Sequence, residues 1–448
     1  MPPKPLSTRT ACLSVVAALT ALGALACGKI APDPGSIPDA GPPLASPSSP
    51  VPTDAGPRPI VWGIVGVGQS LAIGTRRGAE PYEPVVKSAG EGHFMLRNLT
   101  GGTADSVPFA WARPAAEWQL SPLSEPLRER GTGVHAWPEN VASQSPHTPF
   151  AAEIDRLSSG TIRTAHVVVG QDGQPISALA KGGTQPSYAA ALAEATRLRE
   201  LLAARGMELR FAAVLLTHGE SDDTNPSYAD DIAKLQADYE RDLDAVTGHA
   251  DRVPIFLTHP SAGYAGRSGE GYNGAIFAMS RAAREHPDRV RLVGSKTHLE
   301  YLENDFHLTA TGTAELGRLY ARHVLPWIAR GTFVEPLAPV RVERSGTRVT
   351  VVMNRPLVDD PRLFGDTHAP GPWENALGLE VTAEDGTPIA VESTELVGER
   401  VVLSCVSVPA FVSHAIYADG PSPALRRVRL RDRDGEWLVQ FREPVPGD

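Results

Sequence analysis

Three short segments of this 448-residue chain bring together residue types that can support nucleophilic catalysis. The first is Gly68-Gln69-Ser70-Leu71-Ala72-Ile73-Gly74, where a serine hydroxyl follows an apolar run and glycines allow close backbone approach to a ligand. A serine hydroxyl is a weak nucleophile unless a neutral imidazole lies within hydrogen-bond reach and an anionic group orients that imidazole. The second segment, Glu303-Asn304-Asp305-Phe306-His307-Leu308-Thr309, supplies a histidine with acidic neighbours. The third, Leu215-Leu216-Thr217-His218-Gly219-Glu220-Ser221-Asp222, adds a further histidine and carboxylates after another apolar run.

Bringing three such segments together requires a scaffold that ends several strands at one edge. Residues 59–67 form a short β-branched run that closes in glycines, as a buried parallel strand does. Similar runs occur at 166–169, 211–217, 253–258 and 290–293, with helical patterns between most of them. The alternation predicts an α/β domain with a parallel sheet. The clearest helix is expected from Pro226, after Asn225 as cap, with Tyr228, Ile232, Leu235, Tyr239, Leu243 and Val246 recurring until Gly248. Others are expected over 188–206, 272–286 and 310–328, and the domain ends near Gly331. Ser70 and the His218-Glu220 segment then each follow the carboxyl end of a strand, where open α/β sheets place their sites. His307 falls between the last strand and the last helix. Beyond that point, runs at 340–343, 348–353, 379–381 and 401–403 alternate or cluster between Gly, Pro and Asp turns, predicting a small all-β, sandwich-like domain over 332–448.

A GQS block after the first strand, a G-E-S-D block after a middle strand and a late H-L-T-x-x-G block resemble the sialate O-acetylesterase-like (carbohydrate acetylesterase) branch of the SGNH-hydrolase superfamily, over residues 59–331. The resemblance implies a flavodoxin-like, three-layer SGNH domain. It also implies hydrolysis of acyl esters, O-acetyl groups on carbohydrate above all, through an acyl-enzyme and without a cofactor. It assigns Ser70 as nucleophile and His307 as general base. The oxyanion hole would come from the Ser70 amide, a glycine amide of the 170–173 block and a polar side chain of the third block. Gly173 is the expected glycine, with Gly170 as alternative. His218 stands where relatives carry Gln, and Gln69 joins the oxyanion and substrate-binding set. Asn304 occupies the position, three before His307, where the family has Asp; the orienting acid is therefore expected to be Glu220, with Asp305 second. Two other readings remain open: a lipase- or thioesterase-type SGNH hydrolase, and a catalytically impaired surface carbohydrate-binding lipoprotein. The stretch 80–138 is mostly polar, and its Trp111, Trp118 and Trp137 suit sugar stacking, although core packing explains them as readily.

Taken singly, several of these residues have plainer explanations. Ser70 after a glycine-rich turn reads as a helix cap, and Asp222 and Asp223 read as solvated carboxylates or caps. His259 and His298 read as structural or substrate-contact residues. Gly63, Gly66 and Gly68 suggest a dinucleotide fingerprint, but Leu71 replaces its third glycine. No H-E-x-x-H, paired C-x-x-C or EF-hand loop occurs, so no metal site is expected. The net charge of -10 argues against nucleic acid as a partner, and the one dense basic stretch, 426–433, alternates with apolar and acidic residues as a solvated strand face does.

At the amino end, Lys4 and Arg9 precede an apolar run over 11–26 that reaches Cys27, a signal-like pattern too short for a comfortable membrane span. Residues 22–28 resemble a bacterial lipobox, with Ala24 where that pattern favours Leu. The resemblance implies a signal peptide over 1–27, lipidation of Cys27 and a membrane-anchored cell-envelope lipoprotein, periplasmic or surface-facing. An ordinary secretory signal cut near Cys27 is the alternative. Residues 28–58, rich in Pro, Ser and Ala, read as a tether. With Cys12 removed and Cys27 acylated, Cys405 has no disulfide partner.

Overall fold

In a computed structural model of the chain, the structure describes residues 56–74, 83–98, 118–127, 144–260, 273–302, 307–363, 373–417 and 428–447. Cys27, the expected tether up to residue 55, Asn304, Asp305, Trp111 and Trp137 lie outside the described residues. Residues 56–448 form one compact unit.

The central sheet has seven strands: β1 (Ile60–Gly68), β2 (His93–Asn98), β3 (Trp118–Pro122), β4 (Arg163–Val168), β5 (Glu208–Thr217), β6 (Ile255–His259) and β7 (Val290–Ser295). Their spatial order is β3-β2-β4-β1-β5-β6-β7, and only the β2–β3 pairing is antiparallel. The chain builds one half of the sheet before β5 returns to the other side of β1. The order therefore reverses at β1, and a crevice opens beyond its carboxyl end.

Helices pack on both faces because the strands alternate. Val61, Val65 and Val67 of β1 belong to one apolar cluster and Ile64 to another. The first cluster is covered by α4 (Ser187–Ala203), α5 (Tyr228–Thr247) and α6 (Ala275–Glu285). The second is covered by α1 (Ser70–Ile73), α2 (His147–Ser158) and α7 (Ala310–Arg330); the short α3 (Ile176–Leu179) lies between β4 and α4. The apolar stripe read for α5 is real: Ile232, Leu235, Tyr239 and Leu243 are all fully or almost fully buried, each worth roughly 1.5–3 kcal/mol of transfer from water.

In β5 the alternation changes phase. Gly63 of β1 pairs with Phe211, but Ile64 pairs with Ala213, so Ala212 is an extra residue. Leu209 and Phe211 face the α4–α5 side before this bulge, and Val214 and Leu216 face it afterwards.

Three sequence expectations are corrected. The polar stretch 80–138 contains β2 and β3, and Trp118 is 8 % exposed in the core beside Leu96 and Leu120. α5 begins at Tyr228 with Ser227 as N-cap. Asn225 instead braces the preceding loop, its amide nitrogen donating to Asp222 and Asp231 at 2.8 and 3.0 Å. Helix α2, which carries Pro149 in its first turn, was not apparent; proline is tolerated there because that turn's N–H groups have no intrahelical acceptor.

After α7 come β8 (Pro339–Ser345), β9 (Arg348–Met353), β10 (Val358–Asp359), β11 (Leu379–Thr382), β12 (Val391–Val397), β13 (Arg400–Cys405), β14 (Phe411–His414), β15 (Leu430–Arg431) and β16 (Phe441–Pro444). They form separate antiparallel sheets, β12-β13-β9-β8, β11-β14-β16 and β10-β15. One apolar cluster takes Val351 and Leu403 from the first and Val381 and Val412 from the second. Cys405 is a free thiol in that cluster, its pKa pushed up to about 11 by burial. This β region docks on α7 through Glu436, which meets Arg322 Nε at 3.2 Å and His323 Nε2 at 3.3 Å.

Beneath the α2 side of the sheet lies a chain of buried polar side chains. His147 Nδ1 meets His166 Nδ1 at 2.9 Å, His166 Nε2 meets Thr164 Oγ1 at 2.8 Å, and Thr164 Oγ1 meets His93 Nδ1 at 2.7 Å. A Cβ on Gly66 would overlap His147 Nε2, which accounts for a glycine in mid-strand without any nucleotide. Burial lowers the pKa of His93, His166 and His218, takes His147 and His259 down to about 3, and takes His414 to about 4. Unfolded histidine titrates near 6.5, so below that pH the unfolded chain binds more protons than the native one. The stability these neutral histidines allow is present above pH ~6.5 and is lost as pH falls, by up to about 1.4 kcal/mol per pH unit for each. The urea midpoint is expected to drop markedly between pH 7.5 and 5.5; equal midpoints would contradict it.

Candidate active site

The strand carrying the serine ends against β5. Gly68 has φ +152°, and a Cβ on it would overlap the Thr217 carbonyl and crowd Ala72. Gln69 N donates to that same carbonyl at 3.3 Å, and the Gln69 carbonyl then accepts from Ala72 N at 2.8 Å, starting α1. Ser70 is thereby the first residue of a helical turn beyond the sheet's carboxyl edge, 5 % exposed.

His307 arrives from the other direction. Beyond β7, the Lys296 carbonyl accepts from Leu299 N at 3.1 Å and from the Tyr301 hydroxyl at 2.9 Å. Tyr301 bridges to Leu308, and Leu302 N donates to the His307 carbonyl at 2.9 Å. Thr309 Oγ1 caps α7 by accepting from Gly312 N at 3.0 Å. The result is His307 Nε2 at 2.9 Å from Ser70 Oγ, across 237 residues of sequence. A neutral imidazole at that distance can take the hydroxyl proton.

Glu220, expected to orient His307, is bonded to the residue before Ser70 and to a lysine after β7. Its Oε2 accepts from Gln69 Nε2 at 2.7 Å, and its Oε1 forms an ion pair with Lys296 Nζ at 3.2 Å. Gln69 Oε1 in turn accepts from Ser221 Oγ at 2.8 Å. Glu220 therefore braces the serine's neighbour. Gln69, expected among the oxyanion and substrate contacts, has both ends of its amide engaged by protein. Lys296 was missed by sequence reasoning; its only signal is a lysine directly behind an apolar strand that ends in Gly294-Ser295. Burial pushes its pKa down and Glu220 opposes that shift. A buried pair of this kind is costly to break by removing one partner.

His218 is corrected more sharply. Its Nε2 lies 2.9 Å from the Gln174 carbonyl and its Nδ1 lies 2.8 Å from the Tyr228 hydroxyl. The carbonyl requires a proton on Nε2, and the neutral ring then accepts from Tyr228 at Nδ1. Neither nitrogen is left for an oxyanion. Asp222 and Asp223 are buried rather than solvated, each 3 % exposed. Asp222 Oδ2 accepts from Ile176 N at 2.9 Å and so pins the start of α3, just after the 170–173 loop.

Of the two glycines, Gly170 is packed so closely that a Cβ would overlap the Gly68 carbonyl. Gly173 is exposed at a turn with φ +63° and open space where a Cβ would point. His259 is fully buried, its Nε2 2.9 Å from Ser280 Oγ, and His298 stacks on Trp437 with centroids 5.8 Å apart. Among the described residues no group of three or more His, Cys, Asp or Glu is arranged to hold a metal ion.

His218→Leu would leave both the Tyr228 hydroxyl and the Gln174 carbonyl without a partner, and a buried orphan costs about 1–3 kcal/mol. Chemical denaturation is expected to show a stability loss of about 2–4 kcal/mol on that basis. An unchanged midpoint with a large loss of kcat would restore His218 to the oxyanion hole.

A family model described as carbohydrate esterase, sialic acid-specific acetylesterase, matches residues 89–326, a span that includes Glu220, Lys296 and His307 and begins after Ser70. Among solved structures, a carbohydrate acetylesterase from Xanthomonas citri superposes with a TM-score of 0.52 at 13% identity, covering 85% of this chain and 80% of that one. A protein from Arabidopsis thaliana gives a TM-score of 0.41 at 20% identity over 60% of this chain and 98% of that one. NanS gives 0.42 at 11% identity over 61% and 99%. No match was found among curated proteins. The family model covers more than half of the chain, and this chain belongs to the carbohydrate esterase family of sialic acid-specific acetylesterases and is a carboxylic ester hydrolase.

Proposed function

We propose that the protein removes O-acetyl groups from carbohydrate through an acyl-enzyme on Ser70, with His307 as general base. The observation that carries this reading is the 2.9 Å contact between His307 Nε2 and Ser70 Oγ at the sheet's carboxyl edge. Ser70 Oγ attacks the acetyl carbonyl carbon as its proton passes to His307 Nε2. The tetrahedral oxyanion is held by the Ser70 amide and by the Gly173 amide, whose turn is open where Gly170 is packed. Collapse breaks the bond to the sugar oxygen, which takes the proton from His307 as it leaves. Water then attacks the acetyl-serine, giving its proton to His307, and acetate departs as Ser70 recovers its own.

The acid that orients His307 is Glu220, with Asp305, two residues before the histidine in sequence, as the second candidate; Glu220 is also bonded to Gln69 and paired with Lys296. The sheet with helices on both faces supports a flavodoxin-like SGNH domain over 59–331, and the paired antiparallel sheets that share a core support a sandwich-like domain over 332–448.

Ser70→Ala and His307→Ala are each expected to lower acetate release from an acetylated carbohydrate by at least about 10³-fold while leaving the fold intact. Turnover by Ser70→Ala at the parent rate would sink the assignment. The lipobox-like segment supports export and acylation of Cys27. Expressed in a Gram-negative host with labelled palmitate, the full chain is expected to carry label and sediment with membranes, and Cys27→Ser to do neither; an unlabelled parent chain would refute anchoring.

A further inference from the structure

We propose that Lys296 is the positioning residue that keeps Ser70 and His307 in reach of each other; this rests on the reading of those two as nucleophile and base. Lys296 is the point where the two supports described above meet. Its ammonium, 0 % exposed, pairs with Glu220 Oε1 at 3.2 Å, and Glu220 Oε2 takes the Gln69 amide at 2.7 Å. Ser221 Oγ holds the opposite end of that amide at 2.8 Å, so Gln69 is clamped on both sides in the residue immediately before Ser70. The backbone carbonyl of the same lysine receives Leu299 N and the Tyr301 hydroxyl, and Tyr301 is bridged to Leu308, next to His307. One residue thus touches the serine's support through its side chain and the histidine's support through its main chain.

Lys296 Nζ pairs with Glu220, which is 3 % exposed, and so fixes where its carboxyl group points. Removing the lysine would take away this contact and let the carboxyl group turn, so Gln69 would lose its fixed acceptor. A displacement of about 1 Å between reacting groups can cost about 10²-fold in rate.

The experiment compares the full-length protein with Lys296→Met and Lys296→Met/Glu220→Gln, reading steady-state hydrolysis of 4-nitrophenyl acetate, labelling of Ser70 by a fluorophosphonate, and thermal unfolding. Lys296→Met is expected to lower kcat about 100-fold with KM within about twofold of the parent, and to slow labelling in parallel. The double variant keeps an acceptor for Gln69 without a bare charge, and is expected to regain about tenfold in kcat over the single variant. Should Lys296→Met fail to fold, the double variant is read against the parent, with kcat about tenfold lower at unchanged KM as the expected result. A folded Lys296→Met or double variant with parental kcat and labelling rate would overturn the positioning role while leaving the Ser70 assignment standing. A parent protein that hydrolyses the ester but is never labelled at Ser70 would overturn both.

Discussion

The pairing of β1 with β5 is the constraint on which the site depends. It runs in parallel register from Ile60 beside Glu208 to Gly68 beside Thr217, so both strands stop at the same level. Whatever follows each of them must share one edge. Gln69 and Ser70 follow the first, and His218, Gly219, Glu220 and Ser221 follow the second. The absence of a side chain at Gly68 allows its backbone to lie directly against the Thr217 carbonyl. That proximity is what puts the Gln69 amide between Glu220 and Ser221.

Around this junction the polar groups pair with one another rather than with solvent. Glu220 with Lys296, His218 between Gln174 and Tyr228, and Asp222 on the Ile176 amide form a nearly dry polar wall beneath the serine. In such a medium each group's orientation is set by its partner, since an unpartnered one carries a high desolvation cost. The wall therefore acts as backing for the Ser70–His307 pair.

Much of this was legible in the sequence, and the failures have physical causes. The β-branched runs marked β1 and β4 to β7 because buried parallel strands are apolar on both faces, and α5 was marked by its stripe. β2 and β3 escaped because they are short edge-side strands, one ending in Pro122, whose composition resembles a loop. The motifs named Ser70 and His307 correctly as neighbours, which is a matter of strand ends and chain order. They did not say where Glu220 and His218 would point, because side-chain direction depends on partners from the loop before α3, from α5 and from the segment after β7. Lys296 belongs to no motif and becomes visible only when its carboxylate partner does.

The extra residue in β5 deserves a different reading from that of a local irregularity. Side chains along a strand have only two settings, and Ala212 resets which of the two the following residues take. Thr217 and His218 point opposite ways by ordinary alternation, and that reset decides that Thr217 faces Tyr320 on α7 and His218 faces Tyr228 on α5. Insertions and deletions along this strand are thus a parity problem: a single lost residue upstream would exchange the two helical layers as seen from the site. A loop has no such parity to keep, so the residue count matters more along β5 than in the turns that join the strands.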